Sequence, residues 1–243
     1  MNFLNQYEIN ILNAIQNMRT DSLDDIMVTI TALGNGAIFW ISLIFVFFSI
    51  KSYKKIAEVI TISFILNLLI VNILLKISVG RVRPYEAFGF TDLLIRHLSD
   101  NSFPSGHTSY AFSFVTVLFM LSKSKFINWY MAIIAILIAF SRLYLYVHFP
   151  TDVLAGAIIG IILGIMALKI YNTKIYRHAR GKLVYKLKNW WYNRKVLGRC
   201  VGIGRRDRLK LCCPPGRVGS SPTTGTNTFF IWIKLNTINP KIQ

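Results

Sequence analysis

The sequence predicts an all-α, multi-pass transmembrane helical bundle with about five spans and an N-terminal interfacial amphipathic helix. Three observations lead to this prediction. Of the 243 residues, 53% are hydrophobic and 16% are charged, and the mean hydropathy is +0.47. Five apolar runs approach the length that a bilayer requires, and basic residues mark alternate ends of these runs. Such a composition excludes an ordinary soluble domain and a disordered chain.

The five apolar runs are the candidate spans. A hydrocarbon core of roughly 30 Å is crossed by about 20 helical residues. The third run is short, but Pro104 precedes it, Lys123 follows it, and four other candidate spans surround it. The first run contains Gly34-Asn35-Gly36, which predicts a kink or a split. The predicted spans are residues 26–50, 56–79, 108–122, 127–147 and 153–168.

The basic loops predict the orientation. Lysines and arginines follow the first, third and fifth spans, and such clusters stay on the cytoplasmic side of a membrane. Five spans then place the loop 80–103 and the turn 142–152 on the opposite side. We therefore expect a protein of the bacterial plasma membrane with these two connections facing outward.

The charge is distributed unevenly along the chain. Of the 28 lysines and arginines, 17 lie in residues 169–243, whereas 9 of the 10 acidic residues precede that stretch. The basic character therefore belongs to the tail, and it does not indicate nucleic-acid binding by the domain. All three cysteines also lie in the tail, and neither CxxC nor HExxH spacing occurs. The sequence predicts neither a zinc site nor a disulfide framework.

Four regions follow from these patterns. Residues 1–20 are predicted to form the interfacial amphipathic helix, with a soluble cap as the alternative, and residues 21–170 the membrane-embedded domain. Residues 171–197 are predicted to be a basic cytoplasmic juxtamembrane segment on anionic lipid. Residues 198–243 differ in composition from the rest, and we expect a disordered or non-native tail. The apolar face of the first helix is predicted from the helical spacing of Leu4, Tyr7, Ile11, Ile15 and Met18.

Other polar and aromatic residues of the spans receive structural interpretations. Asn67 and Asn72 in the second span are expected to make interhelical hydrogen bonds. Tyr144 and Tyr146 near the outer end of the fourth span are expected to anchor it in an aromatic belt. The stripe of Gly156, Gly160 and Gly164 predicts close helix packing within the chain, with a homodimer as the alternative.

Ionisable side chains gather at three span ends on one side of the predicted bundle. Such groups are costly at membrane depth and usually mark function. Brought together, they would form a cationic site with two imidazoles at the membrane face, which suits a phosphate. Arg81 is left out of the catalytic set, because a solvated loop charge or a lipid headgroup contact is as consistent with its position as a ligand role. The members of the predicted site are Lys76, Arg83, Ser105, Gly106, His107, Arg142, His148 and Asp152.

The local backbone supports an anion site. Pro104 lies just before a predicted helix start, so that Ser105 and Gly106 offer a hydroxyl and free N–H groups at the positive end of the helix dipole. Pro150 predicts a second helix start with Asp152 in its first turn. A carboxylate there can accept a hydrogen bond from one nitrogen of His148 and leave the other nitrogen free to attack.

These residues resemble the signature of the type 2 phosphatidic acid phosphatase superfamily, which also includes vanadium haloperoxidases. The matching parts are Lys76 followed after six residues by Arg83-Pro84, then PSGH at 104–107, then Ser141-Arg142 followed by His148 and Asp152. The resemblance implies that His148 forms a phosphohistidine, oriented by Asp152. It implies that His107 protonates the leaving oxygen and later activates water. The phosphoryl oxygens would be held by Lys76, Arg83, Ser105, Gly106 and Arg142, with no metal and no cofactor.

The position of the site predicts a lipid phosphate as substrate, because a phosphatase for soluble esters does not need five spans. The amphipathic start and the stretch from Leu23 to Gly34 are similar to bacterial undecaprenyl-diphosphatases, so undecaprenyl diphosphate is the leading substrate. Phosphatidylglycerophosphate and phosphatidate are alternatives. A lipid phosphotransferase and, more remotely, a non-catalytic lipid-phosphate carrier also remain open. The expected partners are the lipid substrate and the bilayer, without nucleic acid.

Overall fold

The computed structural model describes residues 3–34 and 36–201, and every regular element in these ranges is helical. The chain divides into two compact units, Met1–His178 and Ala179–Gln243. A 3-10 turn precedes the fourth helix, and a π-helical stretch, Leu68–Leu75, joins the fourth to the fifth. The helices are α1 (Phe3–Gln16), α2 (Asp21–Gly34), α3 (Gly36–Ser49), α4 (Lys54–Asn67), α5 (Lys76–Val79), α6 (Pro84–Ala87), α7 (Gly106–Leu121), α8 (Lys125–Tyr144), α9 (Pro150–Asn172) and α10 (Lys174–Val201).

The membrane-spanning helices occur where the hydropathy predicts them. Within the described residues, the stretch Lys51–Ala87, α8 and α9 are each long and apolar enough to cross a membrane. The shorter apolar helix α7 matches the third predicted span. The prediction of a multi-pass helical bundle is therefore confirmed, and the protein is a multi-pass membrane protein.

The first predicted span is broken. It consists of α2 and α3, whose axes bend by 59° at a break that includes Gly34 and Gly36. Glycine weakens a helix interior because it has more backbone freedom to lose. The sequence indicated this interruption, and the structure shows that it divides the segment into two helices of 14 residues each.

The centre of the bundle is the contact between α7 and α9. A Cβ atom on Gly156 would lie 2.6 Å from the carbonyl oxygen of Ser105, and one on Gly160 would lie 2.4 Å from that of Ser109. Side chains cannot fit at these distances, so the glycines let the two backbones touch. The predicted glycine stripe is thus used for packing within the chain.

Polar side chains join the helices around this contact, as predicted. The amide of Asn67 in α4 donates to the hydroxyl of Ser113 at 3.0 Å and accepts from Ser109 at 2.5 Å. The amide of Asn72 donates to the hydroxyl of Tyr110 at 3.2 Å. These bonds connect the second span to α7, the helix that begins at the predicted site.

A helix, α1, forms over the predicted segment, but its buried face agrees with the predicted one only in part, at Ile15. Ile9, Leu12 and Ile15 are buried, whereas Tyr7 and Met18 are exposed. The buried face packs in a cluster with Tyr144 and Tyr146. The prediction that these two tyrosines form an aromatic belt is wrong, because α1 covers them. Their hydroxyls instead donate to Asp24 and Asn13, at 2.5 and 3.0 Å.

The second unit is described only through Val201. Helix α10 is continuous from Lys174, and its described side chains from Arg177 to Tyr192 are exposed. Most of the predicted tail, residues 198–243, follows Val201 and so lies outside the described residues. The assignment of this region, and of residues 171–197 to the cytoplasmic side, stays a prediction.

Candidate active site

The three segments that carry the predicted site meet at one end of the bundle. Arg83 immediately precedes α6, Ser105 immediately precedes α7, and His148 lies in the turn between α8 and α9. The guanidinium Nη1 of Arg83 is 3.4 Å from Nε2 of His148. The backbone N–H of Ser105 donates to the carbonyl oxygen of Asp152 at 3.0 Å. The structure therefore brings together residues that are up to 65 positions apart in the sequence.

The turn that presents His148 is fixed by its own backbone. Tyr146, two residues earlier, has a φ of +58°, a left-handed conformation that is strained for a residue with a bulky side chain. Its ring stacks on Phe90 with the centroids 4.4 Å apart, and it is buried. This packing holds the turn in the conformation that directs His148, which is 1% exposed, into the interior.

Asp152 contacts His148 through a third residue. The carboxylate Oδ2 is 3.7 Å from Nδ1 of His148, which is too long for a hydrogen bond. The hydroxyl of Ser102 lies between them, 2.5 Å from Oδ2 and 3.4 Å from Nδ1. Because the hydroxyl donates its one proton to the carboxylate, its oxygen accepts from Nδ1–H. This assignment leaves the lone pair of Nε2 directed toward Arg83.

Arg83 is the most completely bonded cation of the site. Its Nε and Nη2 donate to the carbonyl and carboxylate oxygens of Asp100, at 2.8 and 2.6 Å. Its Nη1 donates to the carbonyl oxygen of Val147 at 2.8 Å, next to His148. The planar fork is thus locked from two directions, and its side chain is buried.

Lys76 and Arg142 complete the cationic cluster. The ammonium of Lys76, buried at the start of α5, pairs with Asp100, so that one carboxylate bridges Lys76 and Arg83. Arg142 is buried near the end of α8 and donates from Nη1 to the hydroxyl of Thr31 at 2.5 Å. Among the described residues, its buried Nε has no acceptor, which suits an anion with several oxygens.

Two ionisable groups outside the spans have strongly shifted pKa values. Burial of the ring, together with the nearby charges of Arg83 and Arg142, lowers the pKa of His148 well below its ordinary value. The ring is therefore neutral at pH 7, as a nucleophile must be. Burial alone would raise the pKa of Asp100, but the hydrogen bond and charge of Lys76, reinforced by Arg83, lower it to about 2.

The second predicted imidazole, His107, lies on the other side of the cluster. It is in the first turn of α7 and packs against Gly34, where an added Cβ would lie 2.4 Å from Cδ2 of the ring. His107 and Lys76 line a cavity of about 610 Å³. The rest of the lining is mostly apolar and includes Trp40, Phe64 and Leu68.

Ser105 and Gly106 lie where the sequence predicts them, at the start of α7. The Ser105 side chain does not cap the helix, and its hydroxyl is instead 2.9 Å from that of Thr108. A Cβ on Gly106 would lie 3.1 Å from the side-chain oxygen of Asn72. The backbone at Gly106 therefore packs closely against Asn72, and the phosphate-binding role of Ser105 and Gly106 stays a prediction.

Sequence reasoning missed four polar residues of the site. Ser102 and Asp100 lie shortly before the PSGH motif. Their position in the sequence does not indicate which side chains they contact in the folded protein. Arg81 is outside the predicted catalytic set, but its guanidinium donates to Asp152 at 2.6 Å. Glu8 of α1 bonds the same guanidinium at 2.6 Å. Glu8 is the only acidic residue in the first 20 positions, which is a usable signal.

Taken with the membrane-spanning helices, the site defines a class. Three buried cations beside a neutral imidazole, at one end of a membrane-embedded helical bundle, are suited to a membrane enzyme that acts on a phosphoryl group.

Comparison with known proteins identifies the family within that class. Residues 56–176 match the PAP2 superfamily. The chain is 28% identical to an undecaprenyl-diphosphatase of Sulfolobus acidocaldarius, over 69% of this chain and 80% of that protein. It is 32% identical to phosphatidylglycerophosphatase B of Bacillus subtilis, over 66% of this chain and 80% of that protein. The crystal structure of Aquifex aeolicus LpxE superposes with a TM-score of 0.60 at 33% identity, covering 66% of this chain and 94% of that one. The chain belongs to the PAP2 superfamily, and it is a hydrolase of the phosphatase type.

Proposed function

We propose that the protein dephosphorylates a lipid diphosphate, with undecaprenyl diphosphate as the leading substrate, through a phosphohistidine on His148. The observation that carries this proposal is the position of the His148 ring. Its Nε2 lies 3.4 Å from Arg83, and its Nδ1 is bonded to Ser102, which is itself bonded to Asp152. A neutral imidazole held in this way presents one lone pair to an anion that rests on the guanidinium.

In the first step, Nε2 of His148 attacks phosphorus and forms a P–N bond while the bond from phosphorus to the leaving oxygen breaks. The leaving oxygen takes a proton from His107, whose cationic form the negative charge of the bound substrate stabilises. Charge on the phosphoryl oxygens is neutralised by Lys76, Arg83 and Arg142. Ser105 and the N–H of Gly106 contribute hydrogen bonds from the helix start. Most of the rate enhancement of phosphoryl transfer comes from such positioning and electrostatic stabilisation.

In the second step, water hydrolyses the phosphohistidine. His107, neutral after the first step, accepts a proton from the attacking water as the P–O bond forms and the P–N bond breaks. Inorganic phosphate leaves, and His148 returns to its neutral state. Asp152 keeps its charge throughout and stabilises the cationic ring of the intermediate through Ser102.

The substrate is proposed from the surroundings of His107. The group that this residue protonates lies toward the cavity of about 610 Å³, and Trp40, Phe64 and Leu68 in its lining suit a lipid chain. Similarity to an undecaprenyl-diphosphatase supports a polyprenyl diphosphate. Similarity to a phosphatidylglycerophosphatase over 80% of that protein favours phosphatidylglycerophosphate as the second candidate.

We also propose that the site faces outward in a bacterial plasma membrane. The support is the distribution of lysine and arginine. Lys51, Lys54 and Lys55 lie at one end of the bundle's second span, and the site lies beyond the other end at Lys76. Basic loops favour the cytoplasmic side. Assay of intact cells, in which a membrane-impermeant substrate analogue reaches only outward sites, tests this orientation.

The decisive experiment is hydrolysis of a panel of lipid phosphates and diphosphates by purified protein. Replacing the proposed nucleophile, His148→Ala, should lower kcat by roughly 10⁴-fold or more. His178→Ala is the matched control, because this histidine is exposed in α10, and its kcat should be unchanged. Retention of hydrolysis in His148→Ala would contradict the phosphohistidine, whereas a wild-type protein that binds lipid phosphate without hydrolysing it would fit a non-catalytic carrier.

Product analysis separates hydrolysis from phosphotransfer. Release of inorganic phosphate with no acceptor present is expected of a hydrolase, whereas a phosphotransferase would need an added lipid or sugar acceptor. Since fixed cations neutralise the phosphate in the proposed mechanism, activity should persist in excess EDTA. Strict dependence on magnesium would contradict the assignment of Lys76, Arg83 and Arg142.

A further inference from the structure

A partly buried ion pair, Arg81 with Glu8, lies outside the predicted site and reaches the carboxylate of Asp152. The guanidinium of Arg81 bridges two carboxylates. Its Nη1 donates to Oδ1 of Asp152 at 2.6 Å and to the hydroxyl of Thr151 at 2.7 Å, and its Nη2 donates to Glu8 at 2.6 Å. The guanidinium lies over the ring of Phe149, with its central carbon 3.9 Å from the centroid. Arg81 is therefore held in one plane by contacts on several sides.

Glu8 belongs to α1 and is only 3% exposed. Its second oxygen, Oε1, accepts from the backbone N–H of Thr151 at 3.1 Å and from the hydroxyl of Thr151 at 2.5 Å. A buried carboxylate is costly unless it is paired and hydrogen-bonded. Helix α1 therefore docks in the one register that lets Glu8 meet Arg81 and the start of α9.

The contact with Arg81 completes the fixation of Asp152. Oδ2 of this carboxylate accepts from Ser102 at 2.5 Å and from the N–H of Phe149 at 3.0 Å. Oδ1 accepts from Arg81. Three donors from three parts of the chain thus fix the plane of the carboxylate, and that plane sets the direction of the Ser102 hydroxyl beneath His148.

Glu8 also affects the charge around Asp152. An arginine paired with Asp152 alone would neutralise the negative charge that should stabilise the cationic phosphohistidine. A second carboxylate on the same guanidinium offsets that loss, because the group of Glu8, Arg81 and Asp152 keeps a net charge of −1 when all three are ionised.

We propose that Glu8 and Arg81 are positioning residues for the catalytic histidine, acting through Asp152 and Ser102, so that α1 is part of the active site. This inference rests on the proposed roles of His148 and Asp152. Glu8 and α1 precede residues 56–176, the part of the chain that the family model matches. Helix α1 therefore lies outside the matched part of the chain, yet it supplies a positioning residue to the active site.

The first test is Glu8→Gln, which keeps the size of the side chain and its acceptor for Thr151 but removes the charge. We expect kcat to fall about tenfold, as for a modest loss of orientation, while KM changes less than twofold. KM depends on Lys76, Arg83 and Arg142, whose side chains donate to Asp100, Val147 and Thr31 respectively. An unchanged kcat would overturn the proposal.

The second test separates positioning from simple attachment of α1. Arg81→Gln leaves Glu8 buried without a cation, so Tm should fall, and kcat with it. In the double variant Glu8→Gln with Arg81→Gln, Tm should return to within a few degrees of wild type, because no unpaired charge remains. If the pair positions Asp152, kcat should stay at least tenfold low. If kcat recovers together with Tm, the pair only attaches α1, and the proposal is wrong.

Arg19→Gln is the matched control. Arg19 also bridges two carboxylates, Asp24 and Asp92, at 2.9 and 2.8 Å, but these do not contact Asp152. Its kcat should equal that of wild type. An inactive wild-type protein, or an active His148→Ala, would overturn the proposed function and this inference with it. An active wild type with unaltered Glu8→Gln would overturn only the inference.

Discussion

The two imidazoles of the site have opposite surroundings. His148 is buried, and its two ring nitrogens lie 3.4 Å from Ser102 and Arg83, which are themselves bonded to Asp152 and Asp100. His107 packs against the bare backbone of Gly34 and lines a cavity of about 610 Å³. The His148 side of the site is fixed by these hydrogen bonds, and the His107 side borders an open cavity.

This difference matches the two tasks of the proposed reaction. A nucleophile must hold its lone pair in line with phosphorus, and hydrogen bonds with defined angles provide that constraint. A leaving lipid varies in its chain and needs room and an apolar lining. Substitutions on the His148 side should therefore lower the rate for every substrate, whereas substitutions on the His107 side should discriminate between leaving groups.

After replacement of the nucleophile itself, the largest effect is expected from Arg83→Gln. The change removes a cation from the phosphate site and leaves the carbonyl of Val147, adjacent to His148, without its donor. We expect kcat/KM to fall roughly 10³-fold for lipid and aryl phosphates alike, the loss typical of a transition-state donor. Arg96→Gln, which alters an exposed arginine of the same loop, is the control. A loss below tenfold would contradict the expectation that substitutions on the His148 side lower the rate for every substrate.

The next effect is expected from Ser102→Ala. Without the hydroxyl, Nδ1 of His148 has only the carboxylate of Asp152 at 3.7 Å, beyond hydrogen-bond distance. Loss of tautomer control and orientation should reduce kcat about 10² fold with KM nearly unchanged. Ser78→Ala is the control, because this hydroxyl only bonds the carbonyl of Leu74. A change in KM equal to the change in kcat would show that Ser102 binds substrate instead.

Gly34→Ala tests the His107 half. The added Cβ would lie 2.4 Å from the ring, so His107 must move away from the leaving oxygen. We expect kcat to fall about tenfold for a lipid phosphate but less than threefold for an aryl phosphate whose phenol leaves without a proton. In Gly181→Ala, the control, a Cβ meets nothing within 4 Å. Equal losses for both substrates would exclude displacement of the acid as the cause.

The sequence predicted the hydrogen-bonded surroundings of His148 and the cavity beside His107 to different extents. Lys76, Arg83, Arg142 and His148 could be predicted because a buried charge in a membrane protein must have a reason, and their spacing supplied one. Ser102 and Arg81 could not, because their roles depend on which atoms lie within 3 Å after folding. The cavity beside His107 depends on the break after Gly34, which the sequence indicated without giving its direction. The buried face of α1 was predicted only in part because Glu8 is polar, and its burial follows only from pairing with Arg81.

The smallest effect is expected from Asp100→Asn, at the border between the two halves. This carboxylate is ionised above pH 4 because its pKa is about 2, and it bridges Lys76 and Arg83. It therefore competes with phosphate for two of the site's cations, and the amide should strengthen inhibition by orthovanadate about threefold, since it leaves both cations less neutralised. Its pKa is lower in the folded than in the unfolded chain, so its stabilising contribution is complete above about pH 4 and is lost as the pH falls toward 2. Because the side chain is half exposed, we expect Tm at pH 7 to drop only about 2 °C in the variant. The difference in Tm between wild type and variant should vanish near pH 2, and a difference that persists there would show that the contribution of Asp100 does not arise from its charge.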